Sequence, residues 1–193
     1  LTAEDIKRGL GLTAKHLKSK KKQITVVAVG GAINMILLRA YSFNDLLMMM
    51  QLTISYKLPC FYGGCRVDAE NIALGEGWTN NHTALFIAPN TKTNLYNEAI
   101  SDGVVIFDEP GLQVLAAPWM YCLVAKLEKA EKKGNAKSYD MSDASQYLIQ
   151  ESKRRGAKIK VADIEAKAIA YGAKIQEAQI KELKALCGGY VDG

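Results

Sequence analysis

Apolar and polar residues are arranged along the chain in blocks that predict a mixed α/β amino-terminal portion followed by a helical carboxy-terminal portion. Thr2, followed by acidic residues at positions 4 and 5, predicts a helix N-cap, and an irregular apolar stripe continues that helix to a Lys-rich end. The β-branched run Ile24–Val29 is apolar on both faces, which predicts a buried central strand. Gly30 and Gly31 end that strand.

The segment between Gly31 and Pro118 predicts short elements separated by turns. Residues 32–38 are compatible with a helix, residues 39–44 with a turn, and the Met-rich run 46–54 with a strand followed by a helix. Gly, Pro and Asn mark loops at 59–64 and 75–81. The remaining strand candidates are residues 84–87, 104–107 and 113–116.

From Pro118 onward the pattern is helical. It predicts helices at 119–132, 142–151, 161–171 and 178–186, the second of them capped by Ser142 and the last ended by Gly188 and Gly189. The chain is therefore expected to belong to the α+β class, with a small mixed β-sheet flanked by helices. Its predicted organisation is a core at 1–117 and a helical portion at 118–193, packed together as a single compact unit.

Composition and charge narrow the class of protein. With 193 residues, 49% of them hydrophobic and 23% charged, the chain has the balance of a globular domain whose core needs neither metal nor disulfide. The formal net charge of +5 is uneven. Residues 1–23 hold seven basic and two acidic side chains, residues 151–193 hold nine and six, and the middle of the chain is slightly acidic. This weakens the case for a nucleic-acid-binding core and leaves the Lys-rich ends as the surfaces that could contact phosphates.

The lengths of the apolar runs and the spacing of the cysteines indicate the cellular compartment of the protein. No run reaches the roughly 18 uninterrupted apolar residues of a membrane span, and residues 1–23 are too charged for the apolar part of a secretory signal. The chain begins at Leu1 rather than Met, so a targeting segment could precede it. Cys60, Cys65, Cys122 and Cys187 form no CxxC pair, which argues against a zinc site. They predict buried thiols in a reducing, intracellular and cytoplasmic setting. The lack of a long apolar run predicts no contact with a membrane.

One arrangement of residues along the chain indicates a chemical function. A buried strand, then Gly30 and Gly31, then thirteen residues, then Asp45 opening an apolar run is the layout of a nucleotidyltransferase core. Glycines let a backbone approach a nucleotide phosphate, and two carboxylates two positions apart on a strand can hold Mg²⁺ against it. The alternatives are a tight strand-to-helix turn at the glycines and a helix cap or turn at Asp45.

Four longer segments carry a family resemblance. They are VVAVGGAINMILLR, LGEGWTNN, VVIFDEPGLQVLAAPWMYCLVAKL and SYDMSDASQYL. In order and spacing they resemble a largely uncharacterised fungal family with a minimal nucleotidyltransferase fold, in the polymerase-β-like superfamily. The resemblance extends over roughly residues 1–190 and implies that Gly30 and Gly31 occupy the nucleotide-loop position and Asp45 that of the first metal-binding carboxylate. It also implies that Tyr139, Asp140 and Asp143 belong to a helical motif that follows a lysine such as Lys126.

The chain departs from that family at one decisive place. Active members carry an Asp-x-Asp pair starting at the Asp45 position, whereas here the second carboxylate is replaced by Leu47. Leucine cannot ligate Mg²⁺, so Gly30, Gly31 and Asp45 are interpreted as a vestigial nucleotide site, with no metal and no cofactor. A third carboxylate would come from a later strand, and Asp68 and Asp108 are both candidates.

Three functions follow. The leading hypothesis is a catalytically degenerate binding, scaffolding or self-assembling module, whose Met-rich run would suit a protein partner or a second copy of the chain. The first alternative is an active, Mg²⁺-dependent nucleotidyltransferase that uses Asp45. The second is a structural subunit that contacts nucleic acid through its Lys-rich ends. Asp140 and Asp143 could form a polar ligand pair on one helix face, or they could serve helix capping around Ser142.

Overall fold

The computed structural model describes residues 2–30, 33–38, 47–50, 79–80, 87, 89–131 and 139–192, and it describes residues 35, 47–50, 79, 80, 89 and 131 by their backbone alone. The chain forms two compact units, Leu1–Ala117 and Pro118–Gly193. The first unit contains a mixed sheet with flanking helices and the second is mainly helical, which confirms the predicted α+β class. That the two portions pack as one unit stays a prediction.

The first unit is organised around a five-stranded sheet with the strand order β3-β2-β1-β5-β4. β1 is parallel to β5 and antiparallel to β2, β2 is parallel to β3, and β4 is antiparallel to β5. The strands are β1 Ile24–Val29, β2 Leu47–Met50, β3 Thr79–Asn80, β4 Val105–Glu109 and β5 Leu112–Ala116.

The central strand β1 has the predicted bounds. Val26, Val27 and Ala28 are fully buried, as expected for a β-branched strand with a neighbour on both sides. Gly30 follows with a φ of 76°, a left-handed conformation that ends the strand.

The first helix, α1, spans Ala3–Ser19 and begins with the predicted N-cap. The Thr2 hydroxyl accepts a hydrogen bond from the amide of Asp5 at 3.1 Å, and the Asp5 carboxylate accepts one from the amide of Thr2 at 2.9 Å. This capping box satisfies two amides that would otherwise lack partners. The helix buries Ile6, Leu10 and Leu17 and packs against β4 and β5.

Gly111, between β4 and β5, lies directly against the backbone of α1. Its φ is 110°, its amide donates to the Gln23 side chain at 2.7 Å, and its carbonyl accepts from the amide of Ile24 at 3.1 Å. A Cβ here would collide with the carbonyl oxygen of Ala14 and lie 2.9 Å from the amide nitrogen of Lys18. Only glycine fits this position without displacing the helix.

A second helix, α2, spans Pro89–Asp102 and is absent from the sequence prediction. The segment is rich in Asn and Thr, and among its described side chains only those of Leu95 and Ala99, one turn apart, are fully buried. So sparse an apolar face does not produce a helical period, although Pro89 at the first helical position is a recognised start signal. The strand predicted at 84–87 lies mostly outside the described residues, and Ile87 itself is in a bend.

The described residues of the second unit form four α-helices and a two-stranded parallel sheet. Helix α3 pairs with α4, while α5 packs against α3 and α6 packs against α4. Trp119 on α3 stacks on Tyr147 of α4 with a ring separation of 6.0 Å, and Tyr121 meets Tyr171 of α5 edge to face at 5.2 Å. The elements are α3 Trp119–Glu131, α4 Asp140–Arg155, β6 Ile159–Lys160, α5 Val161–Tyr171, α6 Glu177–Cys187, a 3₁₀ turn Gly188–Tyr190 and β7 Val191–Asp192.

Helix α4 corrects one prediction. It begins at Asp140 and Ser142 lies inside it, so Ser142 is not the N-cap, and Tyr139 at the cap position makes no side-chain capping bond. The helix ends at Gly156, whose φ of 66° provides the left-handed cap that glycine favours.

Other predicted segments lie outside the described residues, among them the 39–44 turn, the helix after β2, the loop at 59–64 and most of the loop at 75–81. The prediction of a loop is wrong at Thr79–Asn80, which form strand β3 because they pair with β2. Among the helices that the structure describes, none combines the length and apolar character needed to span a bilayer.

Candidate functional site

The predicted nucleotide-loop position lies where β1 ends. The amide of Ile33 donates to the carbonyl of Gly30 at 3.0 Å, so Gly30 begins a tight turn. That turn leads into a π-helical segment, Asn34–Leu38. Gly31 and Asp45 lie outside the described residues, so their assignment to a nucleotide site stays a prediction.

The backbone of β2 puts Leu47 beside this turn. Val29 pairs with Met48 in the antiparallel register of β1 and β2, so one residue further along each strand Gly30 and Leu47 come side by side. Leu47 is thus the first residue of a strand that starts next to the glycine turn. On the other side of β2, Leu47 pairs with Thr79 and Met48 with Asn80, and neither partner is a carboxylate.

Asp108, one of the two predicted third carboxylates, lies elsewhere. It is on β4, and β5 and β1 separate that strand from β2. Three strand spacings amount to roughly 14 Å, too far for one metal ion to be shared with a residue on β2. Asp108 accepts a hydrogen bond from the Gln113 side chain at 3.4 Å instead. The prediction for Asp108 is therefore wrong, and Asp68 lies outside the described residues.

In the second unit, the predicted pair Asp140 and Asp143 does come together, against a lysine. Lys126 Nζ on α3 lies 2.9 Å from Asp140 Oδ1 and 2.7 Å from Asp143 Oδ2. We call these three residues the buried triad, because Lys126 is 7%, Asp140 0% and Asp143 6% exposed. The ammonium also lies 5.0 Å from the centre of the Tyr139 ring. All the residues that the family resemblance groups in the helical motif therefore surround one charge.

The electrostatics of the buried triad keep Lys126 charged. Burial by itself lowers its pKa, but the Asp143 and Asp140 carboxylates outweigh burial and hold the pKa above the ordinary value for lysine. A lysine of this kind is a fixed cation rather than a nucleophile, since only the neutral amine attacks. Lys129, 3.7 Å from Asp140 and partly exposed, adds a second positive charge at the edge.

The ammonium of Lys126 engages both carboxylates. It donates a hydrogen bond to Asp140 and forms an ion pair with Asp143 Oδ2. A metal ion bound by these carboxylates would have to displace the ammonium of Lys126. Asp140 and Asp143 are therefore counter-ions of a lysine, and the capping alternative around Ser142 is wrong.

Sequence reasoning did not find the second polar cluster, at the end of α4. Glu151, 1% exposed, accepts a bidentate pair of hydrogen bonds from Arg154 at 2.8 and 2.9 Å and a third from Arg155 at 2.7 Å. Burial raises the pKa of Glu151, but the two guanidinium groups outweigh it and lower the pKa below the ordinary value. The sequence signal for this cluster was the spacing of Glu151 from Arg154 (i, i+3) and from Arg155 (i, i+4), which puts the three side chains on one helix face.

Within the part of the chain that the structure describes, no three or more His, Cys, Asp or Glu side chains gather in a way that could hold a metal ion. Comparison of the chain with family models, with curated proteins and with solved structures finds no match.

Proposed function

We propose that this protein is a nucleotidyltransferase-fold protein that has lost metal-dependent transfer and works as a binding or scaffolding module. The observation that carries the proposal is Leu47, which opens β2 next to the glycine turn at the end of β1. In the fungal family that the sequence resembles, this position carries the second carboxylate of the metal site.

The chemistry of Mg²⁺ explains why one side chain matters so much. Mg²⁺ needs oxygen ligands in a nearly octahedral arrangement, and a two-metal site neutralises the triphosphate while it orients the attacking and leaving oxygens. A leucine supplies no oxygen. With Asp45 as the remaining carboxylate of the pair, the triphosphate charge would stay poorly neutralised.

The buried triad supports a structural role for the helical unit within this proposal. Two carboxylates hold Lys126 between α3 and α4, and removing either kind of charge would leave the other buried without compensation. The polar residues that the family shares are thus retained and used to join two helices, which suits a module that presents a surface to a partner or a second copy.

Two buried thiols support an intracellular, cytoplasmic location. Cys122 and Cys187 are both buried, and neither forms a disulfide bond among the described residues. Buried thiols outside disulfides are common in reducing compartments.

Nucleotide binding tests the proposal. Isothermal titration calorimetry with ATP, in the presence and absence of Mg²⁺, should show no Mg²⁺-dependent binding by the unaltered protein. Leu47→Asp should introduce such binding, because it restores the carboxylate pair. Leu47→Asn is the matched control, because asparagine has the shape of aspartate and a polar side chain but no charge. This variant should show no Mg²⁺-dependent ATP binding. Mg²⁺-dependent ATP binding by the unaltered protein, lost in Asp45→Ala, would favour the active enzyme instead.

A further inference from the structure

A short basic segment, residues 153–160, runs from the last turn of α4 through β6 to the start of α5. It contains Lys153, Arg154, Arg155, Lys158 and Lys160, and all five side chains are exposed. Two hydrogen bonds close the turn within it: the Ser152 hydroxyl donates to the carbonyl of Ala157 at 2.8 Å, and the amide of Ala157 donates to the carbonyl of Ser152 at 3.2 Å. The positive charges are therefore presented by a helix end and a defined turn.

The acidic partners of the basic segment do not balance it. Glu151 is shared by both arginines, Arg155 also reaches Asp163 at 3.1 Å, and Lys158 lies 3.4 Å from Asp192. Three basic side chains thus meet these three acidic ones, while Lys153 and Lys160 have no acidic partner among the described residues. The buried Glu151 holds the guanidinium groups in place, which lowers the entropy that they would lose on binding an anion.

An exposed aromatic ring accompanies this charge. β6 and β7 are parallel, with Ile159 opposite Val191, so Lys158 and Tyr190, which immediately precede these two residues, lie at the same end of the strand pair. Tyr190 is one of the few large hydrophobic side chains in the described part of the chain that remain exposed, at 36%. Basic side chains at the same end of a strand pair as an exposed ring are an arrangement that can bind a charged backbone and stack on a base.

We infer that the basic segment and Tyr190 together bind single-stranded nucleic acid. The lysines contact backbone phosphates, which need only positive charge, and the Tyr190 ring stacks on an unpaired base. A duplex keeps its bases stacked inside and offers no face to the ring. An acidic peptide would use the charge but not the ring. This inference concerns the second unit and does not depend on Leu47.

Fluorescence anisotropy of a labelled single-stranded 20-nucleotide oligomer with the full chain tests the charge. Each phosphate contact contributes a slope of about −0.7 to log K against log salt, which is about fivefold in affinity between 1 M and 0.1 M salt. The double variant Lys153→Glu/Lys160→Glu should therefore bind about 25-fold more weakly at 0.1 M salt. The matched control Lys174→Glu/Lys181→Glu has the same change of charge in the same unit, at exposed lysines, and should change affinity less than about twofold.

Two variants of Tyr190 test the stacking. Tyr190→Ala should weaken binding by about 5- to 100-fold, and Tyr190→Phe should restore it, because stacking needs the ring and not the hydroxyl. Circular dichroism establishes that each variant is folded. Equal effects of the two double variants, equal affinity for a duplex of the same length, or equally effective competition by polyglutamate would each overturn the inference. So would loss of binding in Lys18→Glu/Lys20→Glu alone, which would assign the phosphates to the other Lys-rich end.

Discussion

Replacing Lys126 with Met keeps an unbranched side chain of similar length but removes the charge that neutralises two buried carboxylates. Asp140 is fully buried and Asp143 is 6% exposed, so neither carboxylate can recover its lost partner from bulk water without a rearrangement of α3 and α4. Breaking a buried ion pair by removing one partner typically costs about 3–5 kcal/mol. Because two carboxylates depend on this lysine, we expect Lys126→Met to fall at the upper end of that range at pH 7.

The free energy of unfolding is measured by urea unfolding of the full chain, with a reporter in the second unit. Trp119 stacks on Tyr147 between α3 and α4, so its emission in a Trp78→Phe background reports the helix pair that the buried triad joins. Lys129→Met is the matched control, because Lys129 lies 3.7 Å from the same Asp140 oxygen with a side chain that is 38% exposed. We expect that variant to lose less than about 1 kcal/mol.

The pH dependence separates charge from packing. The pKa of Lys126 is raised in the folded state, so its stabilising contribution is fully present below the ordinary lysine pKa and is lost only as the pH rises through the raised value. A deficit of Lys126→Met below about 1 kcal/mol at pH 7, or one that stays constant as the pH rises through the raised pKa of Lys126, would refute the electrostatic account of the buried triad.

Three further predictions concern other parts of the chain. Gly111→Ala should lower the free energy of unfolding by about 2–4 kcal/mol in thermal unfolding, because the added Cβ meets the backbone of α1. Gly103→Ala is the control: its φ is 61°, but the added Cβ would lie 3.9 Å from the nearest atom, so it should cost only about 1 kcal/mol. The lowered pKa of Glu151 means that its contribution is present above the ordinary glutamate pKa and is lost as the pH falls through the folded value. Glu151→Gln should therefore cost about 1–2 kcal/mol at pH 7 and flatten the acid limb of the stability curve, and an unchanged curve would contradict this. Burial raises the pKa of Cys122 to about 12, so mass spectrometry should find this thiol unlabelled by DTNB at pH 8 in the native protein and labelled in urea.

Local pattern was sufficient where an element is strongly marked along the chain. β1 is a continuous β-branched run between a Lys-rich helix end and Gly30, and its predicted bounds match the structure. The helix at Val161–Tyr171 was predicted with its observed bounds too, since Ile164 and Ala168 lie one turn apart and Gly172 supplies the left-handed cap.

Tertiary contacts determine the two helices that the hydrophobic pattern of the sequence did not predict correctly. Helix α2 buries only Leu95 and Ala99 fully, so its position against the sheet, rather than its own periodicity, stabilises it. Helix α4 starts two residues before Ser142, because Asp140 is buried against Lys126 in its first turn. Capping propensity alone cannot anticipate an ion pair with another helix.

The candidate sites depend on strand order and helix pairing, which local sequence does not contain. Asp108 is a reasonable metal ligand in a linear reading, and only the placement of β5 and β1 between it and β2 excludes it. In the same way, the i, i+3 spacing of Asp140 and Asp143 predicts a shared helix face, but the lysine that they neutralise comes from α3.

Nucleotide incorporation tests the central claim most directly. The unaltered protein would be incubated with α-labelled nucleoside triphosphates, Mg²⁺ or Mn²⁺, and protein, RNA and small-molecule acceptors, beside the Asp45→Ala variant. The account predicts no incorporation above the level of Asp45→Ala, because Leu47 removes the second metal carboxylate. Divalent-metal-dependent incorporation by the unaltered protein that disappears in Asp45→Ala would contradict it.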